Sequence, residues 1–126
     1  IERLAEEDDK IRAFTSSFFA TEEFQLYMNA SDVAVLPFVD VLTSGSAILA
    51  LSFGKPILLP NIGCLPELVD ETMGHLFNPK DKTGLETALR EIRARDLKAA
   101  SHSALQRAKE LHWDGIAEKI ATLYRK

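Results

Sequence analysis

The chain has 126 residues, of which 46% are hydrophobic and 27% charged, with a net charge of −4. That length suits one globular domain burying about 70% of its unfolded surface, and the acidic balance supplies no basic field for nucleic acid. Cys64 is the only cysteine, so no internal disulfide is expected and a reducing compartment fits best; no apolar run reaches the roughly 18 residues of a membrane span.

Taken in order, Ile1, Leu4 and Ala5 stand at helical spacing, and Glu6-Glu7-Asp8-Asp9 reads as a solvated helix end. This acidic opening is unlike a secretory signal, which is basic and then apolar. Residues 11–14 (IRAF) predict a short strand. Thr15, Ser16, Ser17, Phe18 and Phe19 follow without a clear period, and Phe14, Phe18 and Phe19 are expected in a core or interface. Thr21 reads as an N-cap, with Glu22 and Glu23 in the first helical turn. Phe24, Tyr27, Met28 and Ala30 give that helix its apolar face.

Residues 33–36 (VAVL) read as a buried parallel strand that Pro37 stops. After an irregular turn over 38–42, Thr43, Ser44, Gly45 and Ser46 open a helix across 47–53. Gly54 supplies its C′ residue and Pro56 a stop. Residues 57–59 (ILL) form the next strand, so the unit closes with a right-handed crossover and parallel strands. Small hydroxyl residues and a glycine at a helix N-terminus leave free N–H groups and the positive dipole end, an anion site that usually takes phosphate. By residue type alone, a plain N-cap at Thr43 or Ser44 is the simpler reading. One exposed helix end contributes only roughly 0.3–1 kcal/mol toward an anion.

Asn61 and Gly63 fall at the carboxyl end of the second strand, where open α/β sheets take ligands. Gly63 suits a positive φ or a close backbone approach. Cys64 has no histidine near it in sequence and reads as a packed thiol. Glu67 belongs to a short helix over 65–69, serving either the helix dipole or the ligand side. Residues 74–77 (GHLF) are a further strand, with Asn78-Pro79 turning out of it. His75 is the histidine nearest the ligand edge, and none of the three has metal-ligand spacing, so no metal site is expected. Asp81 or Thr83 caps a helix running to Arg95, with Leu85, Leu89 and Ile92 inward. A helix over 97–111 carries the stripe Leu97, Ala100, Ala104, Ala108 and Leu111. The last one, 113–125, sets Trp113, Ile116, Ala117, Ile120 and Tyr124 on one side.

From Pro37 to Pro56 the chain aligns without a gap to the donor-binding segment of the group 1 glycosyltransferases, whose pattern runs roughly P-S-x-x-E-G-F-G-L-P-x-x-E-A-M-A-x-G-x-P-V. Pro37, Ala50, Gly54 and Pro56 fall in place, and Leu51 stands where the family has Met. Upstream, LYMNASDV resembles the family's LYAAADVFVLPS; downstream, NIGCLPELV resembles NVGGIPEIV, and HWD followed by LY resembles the closing FSW…LY. The chain thus resembles the C-terminal, donor-binding domain of a retaining, GT-B-fold glycosyltransferase, with the ordered motifs covering it from about Lys10 to the end.

The resemblance implies an α/β fold, a Rossmann-like parallel sheet flanked by helices, with residues 1–126 forming one partial nucleotide-sugar-binding domain. Against the family the chain starts late, inside a helix that follows a missing strand–helix–strand, which implies a piece of a longer protein. Its last helix, 113–126, would then reach across to an N-terminal domain, or else pack on its own. A nucleotide diphosphate sugar is the implied co-substrate, with no cofactor and no metal. Amides near Ser44, Gly45 and Ser46, with Thr43, would hold its pyrophosphate. Pro37 and Phe38 would border the base; Asn61, Gly63 and Glu67 would face the donor. The family's two glutamates fall on Val41 and Leu49 here, leaving Asp40, one residue away, as the candidate catalytic carboxylate. The implied activity is sugar transfer to a glycan or lipid-linked acceptor, as in polysaccharide biosynthesis, by a cytoplasmic protein compatible with peripheral association at the inner face of the membrane. The alternative is a catalytically degenerate relative that binds a nucleotide or a partner without turnover.

Overall fold

The computed structural model describes residues 2–15 and 19–125. Ile1, Ser16, Ser17 and Phe18, which the sequence places in the first helix and the segment after it, lie outside the described residues. The elements are α1 (Glu2–Glu7), α2 (Thr21–Ala30), β1 (Ala34–Val35), α3 (Gly45–Ser52), β2 (Ile57–Pro60), α4 (Leu65–Leu68), β3 (Gly74–Phe77), α5 (Gly84–Arg93), α6 (Leu97–Glu110) and α7 (Trp113–Tyr124).

The strands form one parallel sheet in the order β1-β2-β3, with Ala34 opposite Ile57 and Ile57 opposite Gly74. Both crossovers step in the same direction, so right-handedness puts α3 and α4 on the same face. There Ala47, Ala50, Leu51 and Leu65 pack with Ile57 and Leu59 from β2 and Ala104 from α6. Strand alternation turns Leu58 to the opposite face, where it meets Phe77 and the Ala88 and Ile92 of α5. Every residue of β2 is buried, as its unbroken apolar run requires of a strand covered on both sides. Leu51, Ile57, Leu58, Leu59 and Leu65 are completely buried, each contributing roughly 1.5–3 kcal/mol.

Helix α3 ends as its sequence dictates. Gly54 takes φ +65°; its N–H donates to Leu51 O (2.9 Å) and the Lys55 N–H to Ala50 O (3.0 Å). These are the two bonds of a Schellman cap, which needs the left-handed conformation glycine adopts freely. Lys55 then reaches back with its Nζ to Ser31 O (2.9 Å) at the end of α2.

The outer elements depart from expectation. β1 spans two residues, both half-buried, and lies at the sheet edge; with β2 on one side only, its ladder is short. Residues 11–14 form no strand, because the described sheet gives them no neighbour to pair with. Phe14 is 58% exposed rather than core; it packs edge-on against Tyr27, which also meets Phe19. The N-cap of α2 is Ala20, one residue before Thr21, and half a capping box replaces a hydroxyl cap: Glu23 Oε2 accepts the Ala20 N–H (3.1 Å). On α5, Ala88 faces inward and Leu89 outward. The cap there is shared: Thr83 is the N-cap, and its N–H and hydroxyl both donate to Asp81 Oδ1.

Helix α6 presents the expected stripe, with Ala100 and Ala104 buried, and Asp96 caps it by accepting the N–H groups of Lys98 and Ala99. Helix α7 has no buried residue; Trp113 is 78%, Leu123 71% and Tyr124 87% exposed. Ile116 and Ala121 are its half-buried positions. Among the described residues no helix is long and apolar enough to cross a membrane.

Candidate functional site

In a parallel sheet every strand ends at the same edge, so the segments after β1 and β2 emerge side by side. Those segments are 36–44 and 61–64. Their contact is made by backbone. Gly63 has φ +54°, and a Cβ there would lie 2.4 Å from Val41 O and 2.8 Å from Leu42 O. The Cys64 N–H donates to Leu42 O at 2.9 Å. Both properties read from the sequence for Gly63, positive φ and close approach, are present in one residue.

The first of these segments delivers the chain to α3. Ser44, only 7% exposed, is its N-cap and accepts the Ala47 N–H on Oγ at 3.1 Å. The Ile48 N–H is taken by Ser44 O. Among the described residues, the N–H groups of Gly45 and Ser46 have no protein acceptor, and both residues are exposed. No acidic side chain occupies the first turn of α3, so the positive end of the dipole is unneutralised there. The two readings of this stretch thus coexist, with Ser44 as the cap and the next two amides left open.

Beside the cap lies a cavity of about 240 Å³, bounded by Thr43, Ser44, Cys64, Glu67, Arg107 and apolar side chains including Ile48 and Leu111. A wider groove of about 400 Å³ runs behind α4 towards His102 and Gln106, sharing Glu67 and Arg107 with the first; none of the segments that end strands β1 and β2 enters it. The structure therefore gathers Thr43, Ser44 and Glu67 around one cavity and stacks Gly63 directly on the segment leading to them. Pro37, Asp40, Gly45, Ser46 and Asn61 are exposed on the same edge but do not line that cavity. Phe38 is half-buried and packs against the main core, so part of its ring is unavailable to a ligand.

Two residues differ from their sequence reading. His75 sits opposite Leu58, in the amino half of β3, with Nε2 3.2 Å from Glu91 Oε2 on α5; it ties a helix to the sheet away from the ligand edge. Cys64 is partly exposed, stands at the N-cap of α4 and lines the cavity. A further residue, Arg107, belongs to no motif of the sequence, but its register is a signal: it lies three residues after Ala104 and four before Leu111, on the inward stripe of α6. Its Nη2 donates to Glu67 O (2.7 Å) and its Nε to Leu68 O (3.1 Å), while Nη1 meets Glu110 Oε2 (2.9 Å). Among the described residues no group of three or more His, Cys, Asp or Glu is placed to hold a metal ion.

A parallel sheet covered on both faces, with an open helix N-terminus at its carboxyl edge, defines an α/β domain of the Rossmann kind. The comparisons then give the family. The family model described as Glycosyl transferases group 1 matches residues 2–95, and the chain belongs to that family. Its fold is also that of sucrose-phosphate synthase from Thermosynechococcus elongatus, with a TM-score of 0.77 and 27% identity. That match covers 98% of this chain and 32% of the synthase, so the chain spans about one third of its length. No curated protein matches the sequence.

Proposed function

We propose that this chain is the donor-binding part of a glycosyltransferase that moves a sugar from a nucleotide diphosphate sugar to a glycan or lipid-linked acceptor. The observation that carries the reading is the pair of open amides at Gly45 and Ser46, exposed at the carboxyl edge of the sheet. In the proposed arrangement these N–H groups, with the hydroxyl of Thr43, take the pyrophosphate. They would stabilise the charge that grows on the departing nucleotide diphosphate, where preorganised donors act most strongly. Pro37 and the free side of Phe38 border the base, and Asn61, Gly63 and Glu67 line the sugar side. Asp40 is the carboxylate assigned to the reacting end, being exposed on the adjoining turn. Acceptor recognition belongs to parts beyond this domain. The reading needs no metal and no further cofactor, and it is compatible with a cytoplasmic protein that meets the membrane through its acceptor.

One observation favours the second reading, a relative that binds without turnover. Val41 packs against the main core and Leu49 is half-buried in α3, so neither offers a carboxylate at this edge. Amide-resolved NMR titration with UDP, GDP and ADP separately tests the proposal. A saturable shift of the Gly45 and Ser46 amides by one of them supports it and identifies the base. Absence of any shift at those amides with all three removes the pyrophosphate assignment.

A further inference from the structure

We infer that Arg107 is a positioning residue for this edge: from α6 it fixes α4, and through α4 the backbone that opens α3. The assignment rests on the donor-edge reading above and extends it to a residue outside the segments that end the strands. Helix α4 is a single turn of four residues, and the last carbonyls of a helix have no partner within it. Arg107 supplies that partner twice, through Nη2 to Glu67 O at 2.7 Å and Nε to Leu68 O at 3.1 Å. The guanidinium is a rigid fork with its donors in one plane, and its charge also suits the negative end of the turn. Glu110 Oε2 holds the third corner at 2.9 Å. The side chain is 28% exposed; its bond to Leu68 O is half-buried and those to Glu67 O and Glu110 are exposed.

The other end of α4 is tied to the ligand edge without slack. Its N-cap is Cys64, whose N–H is bonded to Leu42 O, and the preceding Gly63 stands against the carbonyls of Val41 and Leu42 with no room for a methyl group. Two residues further on, Ser44 caps α3. The linkage from Arg107 to the open amides therefore runs through main chain: the carbonyls of α4, the Cys64 amide, the 42–44 backbone and the α3 cap. A lysine at 107 could offer one point donor to one carbonyl, without the fork.

Hydrogen exchange and nucleotide titration of wild type, Arg107→Met and Arg107→Lys test this. Loss of the clamp should speed exchange of the Cys64 amide about tenfold while Leu58 and Leu59 in β2 stay within about twofold. The nucleotide that shifts Gly45 and Ser46 should bind Arg107→Met about tenfold more weakly, with Arg107→Lys little better. Unchanged Cys64 exchange overturns the assignment. So does acceleration of Cys64, Leu58 and Leu59 in equal proportion, since that is general destabilisation. Unchanged affinity in Arg107→Met, with Cys64 exchange accelerated, also overturns it, because the clamp would then not reach the site. If no nucleotide shifts the wild-type amides, the donor-edge reading fails on its own, and the Cys64 comparison still decides whether the clamp operates. Arg107→Lys carries the comparison if Arg107→Met does not fold.

Discussion

Replacing Gly63 with alanine tests whether the two edge segments are joined as tightly as the structure indicates. An L-residue at φ +54° costs roughly 1–2 kcal/mol. The added Cβ would sit 2.4 Å from Val41 O and 2.8 Å from Leu42 O, both backbone atoms that no rotamer change can move. Restoring ordinary contact requires the 41–44 segment to retreat by about 1 Å. That retreat strains the Cys64 N–H···O bond to Leu42, whose loss costs about 1 kcal/mol. The expected destabilisation is therefore about 2–4 kcal/mol, or a fall in Tm of about 8–15 °C for a domain of this size. Differential scanning calorimetry should be run on Gly63→Ala alongside Gly45→Ala. At Gly45 a Cβ meets nothing within 4 Å and φ is not positive, so that control should stay within about 0.5 kcal/mol of wild type. A Gly63→Ala protein melting with wild type would refute the close approach and the coupling built on it.

Ser44→Ala removes the acceptor of the Ala47 N–H and should lower stability by about 1 kcal/mol in urea denaturation, the usual cost of a lost N-cap. Leu51→Ala empties a fully buried position between α3 and the sheet and should cost about 2–5 kcal/mol, read from the same denaturation curves. Asp70 Oδ1 accepts the Thr72 hydroxyl (2.6 Å) and N–H (2.8 Å), and the Thr72 hydroxyl is the chief reason its carboxyl titrates below the ordinary value of 3.8. A depressed folded pKa contributes stability above the unfolded value and loses it as pH falls through the folded one. Melting temperature against pH should therefore fall less steeply below about pH 4 in Asp70→Asn than in wild type, starting from a lower neutral-pH value.

Elements that carry their own signals were legible in the sequence. Strand β3 coincides with the predicted 74–77, Gly54 ends α3 as a left-handed C′ residue, and the alanine stripe of α6 faces the core. Each of these depends on local chemistry or on a long, strongly periodic pattern. What failed depends on neighbours. The run 11–14 has strand composition, but pairing requires a partner strand, and the described sheet offers none there. On α5, Ala88 and Leu89 are adjacent, and hydrophobicity favours the larger residue for the core. The space beside Leu58 and Phe77 takes the smaller one instead. Thr21 loses the cap to Ala20 because Glu23 reaches back to the Ala20 amide, a contact that depends on where the chain enters the helix.

The candidate site divides in the same way. The open amides at Gly45 and Ser46 follow from where α3 begins, which glycine and serine announce in one dimension. Arg107 lies more than 60 residues later in the chain, and its role depends on two carbonyls that carry no side-chain identity at all. The edge therefore sets main-chain amides of α3 beside the polar residues Thr43, Glu67 and Arg107. Val41 and Leu49 offer no carboxylate there, which leaves the α3 amides and the Thr43 hydroxyl to present donors. Main-chain donors are indifferent to side-chain replacement but sensitive to displacement, since hydrogen bonds weaken within a few tenths of an ångström. On the proposed function, substitutions that move backbone, such as Gly63→Ala or Arg107→Met, should therefore weaken nucleotide binding more than Thr43→Val, which removes one hydroxyl and moves nothing.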